Sequence, residues 1–160
     1  MAHAFLTEGG LSELAELDHV DEMAFLVAAV CHDLGHDGFT NTYHSNAVTD
    51  RAIRYNDVSV QENYHVAEAF SLMQRGDMSF LETLSTDEYK VFRKRMIGCI
   101  LATDMAKHAI DVSALKSIVE AKEIKGGVNA KLSINKESDA SLFKSQQFIM
   151  EACLHSCDIS

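Results

Sequence analysis

Proline is absent from the 160 residues, where average usage of about 5% would supply roughly eight. Glycine is limited to eight positions. A chain so poor in both breakers is neither a turn-rich β-sandwich nor a disordered linker, and is set up for helices. Basic residues are scarce as well: 14 Lys and Arg stand against 24 Asp and Glu, a formal net charge of −10. Such a field repels nucleic acid and anionic membrane, so neither is an expected partner. An anionic ligand would need a bound cation to offset it. No apolar run approaches the ~18 residues of a membrane span. The longest, residues 24–31, lies between acidic residues and His32-Asp33. Met1 is followed by Ala-His-Ala-Phe-Leu-Thr-Glu rather than by a basic and then an apolar stretch, so no secretory leader is expected. Cys31, Cys99, Cys153 and Cys157 form no CxxC pair, which predicts reduced thiols in an intracellular, cytoplasmic chain. Cys153-Leu154-His155-Ser156-Cys157 has the outline of a zinc half-site. At i,i+4 on an apolar helix, however, the two thiols read as small buried hydrophobes.

What is present reads as successive helices. A short one spans residues 2–7 and ends at Gly9-Gly10. Asp18 is placed to cap a helix running to about Leu34, with Asp21 and Glu22 in its first turn and a middle apolar on nearly every side, hence buried. A turn-rich stretch follows to Asn46. Thr49 caps a brief helix through Tyr55, and Asn56-Asp57 turns the chain. Ser59-x-x-Glu62 and Ser85-x-x-Glu88 fit capping boxes. The first opens a helix to Gly76. The second opens one through about Thr103, with Phe92, Met96, Cys99 and Ile100 on one face. Another helix covers about 105–124, a polar loop covers 126–137, and a last helix from Ser138 or Asp139 places Leu142, Phe143, Ile149, Met150, Cys153, Leu154 and Cys157 at helical spacing. Both ends begin or stop abruptly within helix, which predicts an incomplete all-α domain. Apolar faces left open in this way predict dimerisation or other association.

The chemistry concentrates in His32-Asp33-Leu34-Gly35-His36-Asp37-Gly38-Phe39-Thr40-Asn41. Adjacent imidazole and carboxylate groups offer mixed N/O ligation, which suits Zn²⁺, Mg²⁺ or Mn²⁺, and one carboxylate has two oxygens with which to bridge a pair of cations. His36 lies one turn beyond His32, within reach as a further ligand or as a donor to metal-held water. An HD dipeptide alone is a weak signal, because His and Asp also simply end helices. Other polar groups interrupt apolar helices: Glu62 and His65 one turn apart, Thr103-Asp104-Met105 followed by Lys107 and His108, and Asp158 after His155. Singly, each reads as a cap or a solvated side chain. Their recurrence beside buried faces predicts one shared cavity.

Four ordered segments then match: His32 to Asn41, Arg54 to His65, Leu101 to His108 and His155 to Ser160. Together they resemble the catalytic domain of class I 3′,5′-cyclic nucleotide phosphodiesterases, of the HD superfamily. The resemblance implies a compact multi-helix bundle with a dimetal pocket, and makes residues 1–160 a partial catalytic domain. By this likeness His32, Asp33 and Asp158 are metal ligands, with Asp33 bridging two divalent cations, Zn²⁺ and Mg²⁺ (or Mn²⁺). His36, Glu62 and Thr103 match positions that hold water; Asn41, His65 and Met105 match the substrate pocket. The implied reaction is hydrolysis of cAMP or cGMP to a nucleoside 5′-monophosphate by cation-activated water.

The chain also departs from the family pattern. The family's Tyr-His-Asn-x-x-His segment, with its general-acid histidine, has no match, and His3 matches neither of its histidines. The downstream purine-binding helices are missing, and position 37 is Asp where the family often has Pro. A general acid is worth ~10²–10⁴-fold, so the chain by itself is expected to be weak or inactive. Two other readings compete: another HD-type metal-dependent phosphohydrolase, told apart by its products, and a non-catalytic helical fragment, told apart by its lack of metal.

Overall fold

In the computed structural model, residues 1–76, 80–126 and 139–159 are described, and among them every regular element is helical. The α-helices are α1 (Ala2–Thr7), α2 (Leu11–Ala15), α3 (His19–Cys31), α4 (Asn41–Asn46), α5 (Asp50–Tyr55), α6 (Val60–Met73), α7 (Thr86–Leu101), α8 (His108–Gly126) and α9 (Asp139–Asp158), with 3₁₀ turns at Phe80–Thr83 and Met105–Lys107. No helix among these residues is long and apolar enough to cross a membrane. The polar loop expected after Gly126 lies outside the described residues.

Helix α7 is the axis of the fold, packed against α3, α6 and α9. It starts as its sequence dictates: Ser85 accepts the Glu88 N–H while the Glu88 carboxylate accepts the Ser85 N–H. Its Phe92, Met96, Cys99 and Ile100 are fully buried, against Val20, Ala24, Phe25 and Ala28 of α3 and Met150 and Leu154 of α9. Phe70 of α6 meets Phe92 edge-on at 6.3 Å, the arrangement the ring quadrupoles favour. Asp18 likewise forms a full capping box on α3.

Helix α3 is less enveloped than its composition suggests. Val30 is 83% exposed, because five residues of helix turn it about 140° from the buried Phe25. Three other expectations are corrected. α4 is a short helix in the stretch read as turn-rich, capped by Thr40 Oγ1 on the Tyr43 N–H at 3.2 Å, and α2 occupies residues for which no element was expected. α6 ends at Met73 rather than Gly76. The Ser59-x-x-Glu62 capping box does not form: Ser59 is left-handed at φ 42° and donates its hydroxyl to Asp104 Oδ2 at 2.8 Å. Asn41 Oδ1 accepts the Gln61 N–H in its place at 2.8 Å, so α6 is capped from α4. None of the four cysteines is in a disulfide, and burial pushes the Cys153 thiol up to about 11, as expected of a packed side chain rather than a ligand.

Inside this core lies one charged knot. Arg95 of α7, 1% exposed, donates Nε to Asp21 Oδ1 at 2.7 Å, Nη1 to the Phe143 carbonyl at 2.7 Å and Nη2 to Gln146 Oε1 at 2.6 Å. Gln146 Nε2 donates onward to the Ala15 and Glu16 carbonyls. One buried cation thereby ties α3, α7, α9 and the end of α2 together, with its hydrogen-bonding capacity satisfied.

Candidate functional site

Helix α3 ends where its capacity for chemistry begins. His32 is its C-cap residue, and the chain turns through Asp33 and Leu34 into Gly35, whose φ of 73° needs glycine. His32 Nδ1 donates to the Ala29 carbonyl at 2.9 Å, the bond that fixes its tautomer and leaves the Nε2 lone pair facing outward. That lone pair meets Asp158 Oδ1 at 3.1 Å and Asp33 Oδ2 at 3.6 Å. One ligand atom from each of His32, Asp33 and Asp158 lies within 4.8 Å of the others. Three acceptors converging with no donor among them suit a cation, and mixed N/O donors suit Zn²⁺ or Mg²⁺, so the residues present fit a divalent metal.

Asp33 also opens onto a second group of three, with His36 and His65. His65, buried at the first turns of α6, donates Nδ1–H to the Leu34 carbonyl at 2.8 Å, so its Nε2 faces Asp33 Oδ1 at 3.9 Å. Burial holds the His65 pKa below the ordinary imidazole range, which keeps the ring neutral. His36 has the opposite polarity. Its Nδ1 accepts the Gly38 N–H at 2.9 Å, which places the ring proton on Nε2 and makes His36 a donor where His65 is an acceptor. The two rings stack at 5.6 Å.

Asp33, Asp158, His36 and His65 line a cavity of about 570 Å³ together with Asn41, Gln61, Glu62, Thr103, Asp104 and Met105. Glu62 accepts from Asn41 Nδ2 at 2.9 Å, and burial, reinforced by Asp104, pushes its pKa above the usual carboxylate range. Thr103 donates its hydroxyl to the Ile100 carbonyl at 2.8 Å, which leaves its oxygen free to accept. Met105 stands exposed at the mouth. No described residue lining the cavity is Lys or Arg.

The residues to which the family likeness gives a role (His32, Asp33, His36, Asn41, Glu62, His65, Thr103, Met105 and Asp158) lie around this space, His32 at its edge through Asp33 and Asp158. Asn41 lines the cavity and joins its walls, Oδ1 accepting the Gln61 N–H and Nδ2 donating to the Glu62 carboxylate. His108 and His155 do not join. They pair with each other at 2.8 Å beside a separate small cavity of about 70 Å³. Sequence reasoning missed Gln61; the available signal was a polar side chain between Val60 and Glu62 in the turn that Asn41 caps.

Known proteins similar to this chain share one family. A family model described as 3′5′-cyclic nucleotide phosphodiesterase matches residues 1–160. A probable 3′,5′-cyclic-AMP phosphodiesterase of Caenorhabditis elegans is 37% identical over 158 residues, which is 99% of this chain and 22% of that protein. The high affinity cGMP-specific 3′,5′-cyclic phosphodiesterase 9A of Mus musculus is 40% identical over 111 residues, 69% of this chain and 20% of that protein. This chain thus spans about a fifth of the length of these relatives. The crystal structure of the phosphodiesterase domain of a RhoPDE fusion protein from Salpingoeca rosetta superimposes with a TM-score of 0.77 at 34% identity, covering 89% of this chain and 41% of that one.

Proposed function

This chain belongs to the 3′,5′-cyclic nucleotide phosphodiesterase family, and from that premise we propose that its cavity takes part in hydrolysing cAMP or cGMP to the nucleoside 5′-monophosphate. The observation that carries the reading is the convergence of His32, Asp33 and Asp158 at the edge of a cavity without a described basic side chain. An anionic phosphodiester enters such a space only against a cation's charge. The named relatives act on cAMP in one case and cGMP in the other, so substrate choice between them stays open and the phosphohydrolases of other chemistry are not favoured.

We assign His32, Asp33 and Asp158 as the residues that would hold divalent cations, Zn²⁺ and Mg²⁺ (or Mn²⁺), Asp33 being the side chain that both candidate groups contain. When bound, these supply Lewis acidity at the phosphoryl oxygens and lower the pKa of water. The chain's own residues do the rest. His36 offers an Nε2–H and Thr103 an acceptor oxygen, which together orient a water molecule. Glu62, held by Asn41, accepts a proton from it. The water oxygen bonds to phosphorus, the bond from phosphorus to the 3′-oxygen breaks, and the proton that Glu62 took up passes through solvent to that oxygen. With His65 Nδ1 committed to Leu34 and the His36 Nε2–H to the water, no further group among the described lining residues is placed to protonate the leaving oxygen. Turnover by these residues alone is therefore slow, since a positioned general acid is worth ~10²–10⁴-fold.

³¹P NMR of the chain with cAMP, cGMP and Mn²⁺ tests the reading. A 5′-monophosphate as sole product is expected. Release of inorganic phosphate from phosphomonoesters, or of tripolyphosphate from nucleoside triphosphates, would assign a different hydrolase.

Glu62→Gln separates this role from mere support of the fold. Gln keeps an oxygen for Asn41 but takes up no proton, so turnover falls ~10–100-fold. Stability moves the other way. Because burial raises the folded-state pKa of Glu62, its contribution is full at acid pH and is lost as pH rises through that raised value. In metal-free buffer at pH 7 the Gln variant melts higher than the parent, and the gap closes below the ordinary carboxylate range. A lower melting temperature at pH 7 would contradict this assignment.

A further inference from the structure

The segment that carries His36 into the cavity is gripped from its far side. Gly35, Asp37 and Phe39 all contact one polar cluster, made by Arg51 of α5 and Gln61 and Tyr64 of α6. Arg51 lies 3.1 Å from Asp37 Oδ2, donates Nη1 to Gln61 Oε1 at 2.6 Å and Nη2 to the Gly35 carbonyl at 3.3 Å, and stacks 3.5 Å above the Tyr64 ring. Gln61 uses its Nε2 protons on Asp37 Oδ1 at 2.7 Å and on the Phe39 carbonyl at 2.9 Å. Asp37 Oδ1 also faces His44 Nε2 at 3.3 Å, and His44 Nδ1 lies 2.9 Å from Thr49 Oγ1. Tyr64 closes the group from below: a side chain at Gly35 would meet its Cε1 at 3.1 Å.

Neither Arg51 nor Asp37 lines the cavity, yet Arg51 holds Gly35 and Asp37 of the segment that does, and both bond Gln61, which lines it as well. The Gly38 N–H that sets the His36 tautomer sits between Asp37 and Phe39, both fixed by this cluster. Through Gln61 the same cluster reaches the other wall, since the Gln61 N–H is the group that Asn41 caps while holding Glu62. A flat guanidinium with forked donors meets three acceptors and a ring at once; an ammonium, a single point of charge, does not.

We propose that Arg51 is a positioning residue for hydrolysis, and that the Arg51–Asp37–Gln61 clamp sets the ring polarity of His36 and the reach of Glu62 without touching substrate or cation. The proposal rests on the hydrolase reading above, and goes beyond it by placing control of the site in α5. His32 and Asp33 directly follow α3 and Asp158 ends α9, and Arg51 bonds none of the three, so loss of Arg51 is expected to leave cation binding in place.

The test is Arg51→Ala, read by ¹⁵N NMR of the histidine rings, amide hydrogen exchange, Zn²⁺ titration and steady-state kinetics of the full chain. The expected result is a His36 ring that populates both tautomers, and Gly38 and Phe39 amides that exchange ~10-fold faster or more. Zn²⁺ affinity stays within about twofold, and kcat falls ~10–100-fold with KM nearly unchanged, the size of an outer-sphere effect. Arg51→Lys recovers only part of these losses. Should Arg51→Ala unfold, Asp37→Asn keeps the volume and shows the same ring and amide changes. A His36 ring and Gly38 amide that stay as in the parent would overturn the proposal, as would a loss of Zn²⁺ affinity equal to the loss of kcat. If the parent chain shows no cyclic nucleotide turnover, the hydrolase reading fails, while the ring and amide measurements still decide whether the clamp sets His36.

Discussion

With Asp33 replaced by Asn, cyclic nucleotide turnover falls by at least about 10²-fold, and divalent-cation affinity falls with it. Loss of even an outer-sphere partner costs ~10–100-fold in affinity or activity, and Asp33 stands nearer than that. It is the one side chain common to both candidate ligand groups, one with His32 and Asp158, the other with His36 and His65. Asn keeps the shape and removes the charge, so the fold is expected to survive. Circular dichroism should be unchanged while turnover, read by product chromatography, disappears. An Asp33→Asn chain as active as the parent would remove the carboxylate from the mechanism.

The largest effect on stability is expected far from the cavity, at Asp21. Asp21→Ala leaves the Arg95 guanidinium 1% exposed with its carboxylate partner gone. Stranding one member of a buried pair costs about 3–5 kcal/mol. For a chain of this length that is roughly 10 °C or more in Tm. The double change Asp21→Leu with Arg95→Met recovers only part of the loss, because Gln146 Oε1 and the Phe143 carbonyl lose their donor as well. Thermal melts of the parent and the two variants measure this directly. A shift of Tm under about 2 °C for Asp21→Ala would mean that the guanidinium finds water or another partner.

These two sites were legible to very different degrees. The grouping of His32, Asp33 and Asp158 was legible only through the family resemblance, because an HD dipeptide alone is a weak signal and Asp158 by itself reads as a helix end. The α7 core was legible because Phe92, Met96, Cys99 and Ile100 share one face at 3.6-residue spacing, and local caps at Asp18 and Ser85 were legible because both partners lie within one turn. Arg95 was not legible. A charged residue in a helix reads as solvent-facing, and what buries this one is Asp21, 74 residues earlier, with Gln146, 51 residues later. Ser59 failed for the same reason in reverse. Its local box was plausible, but Asp104, 45 residues away, takes its hydroxyl. Arg51 and Gln61 likewise acquire meaning only when the Gly35–Asn41 segment folds back over α5 and α6. Sequence periodicity carries contacts within a turn or along a face; pairings between distant polar groups come only with the assembled fold.

The central claim is that residues 126 positions apart, His32 and Asp158, hold one cation together with Asp33. Calorimetric titration of Zn²⁺ into the metal-free chain, beside its Asp158→Asn variant, tests this most directly. The account predicts a site in the parent whose affinity drops at least about 10-fold in the variant. Equal affinity in both chains would show that Asp158 holds no cation, and would leave the family's chemistry without the site assigned to it here.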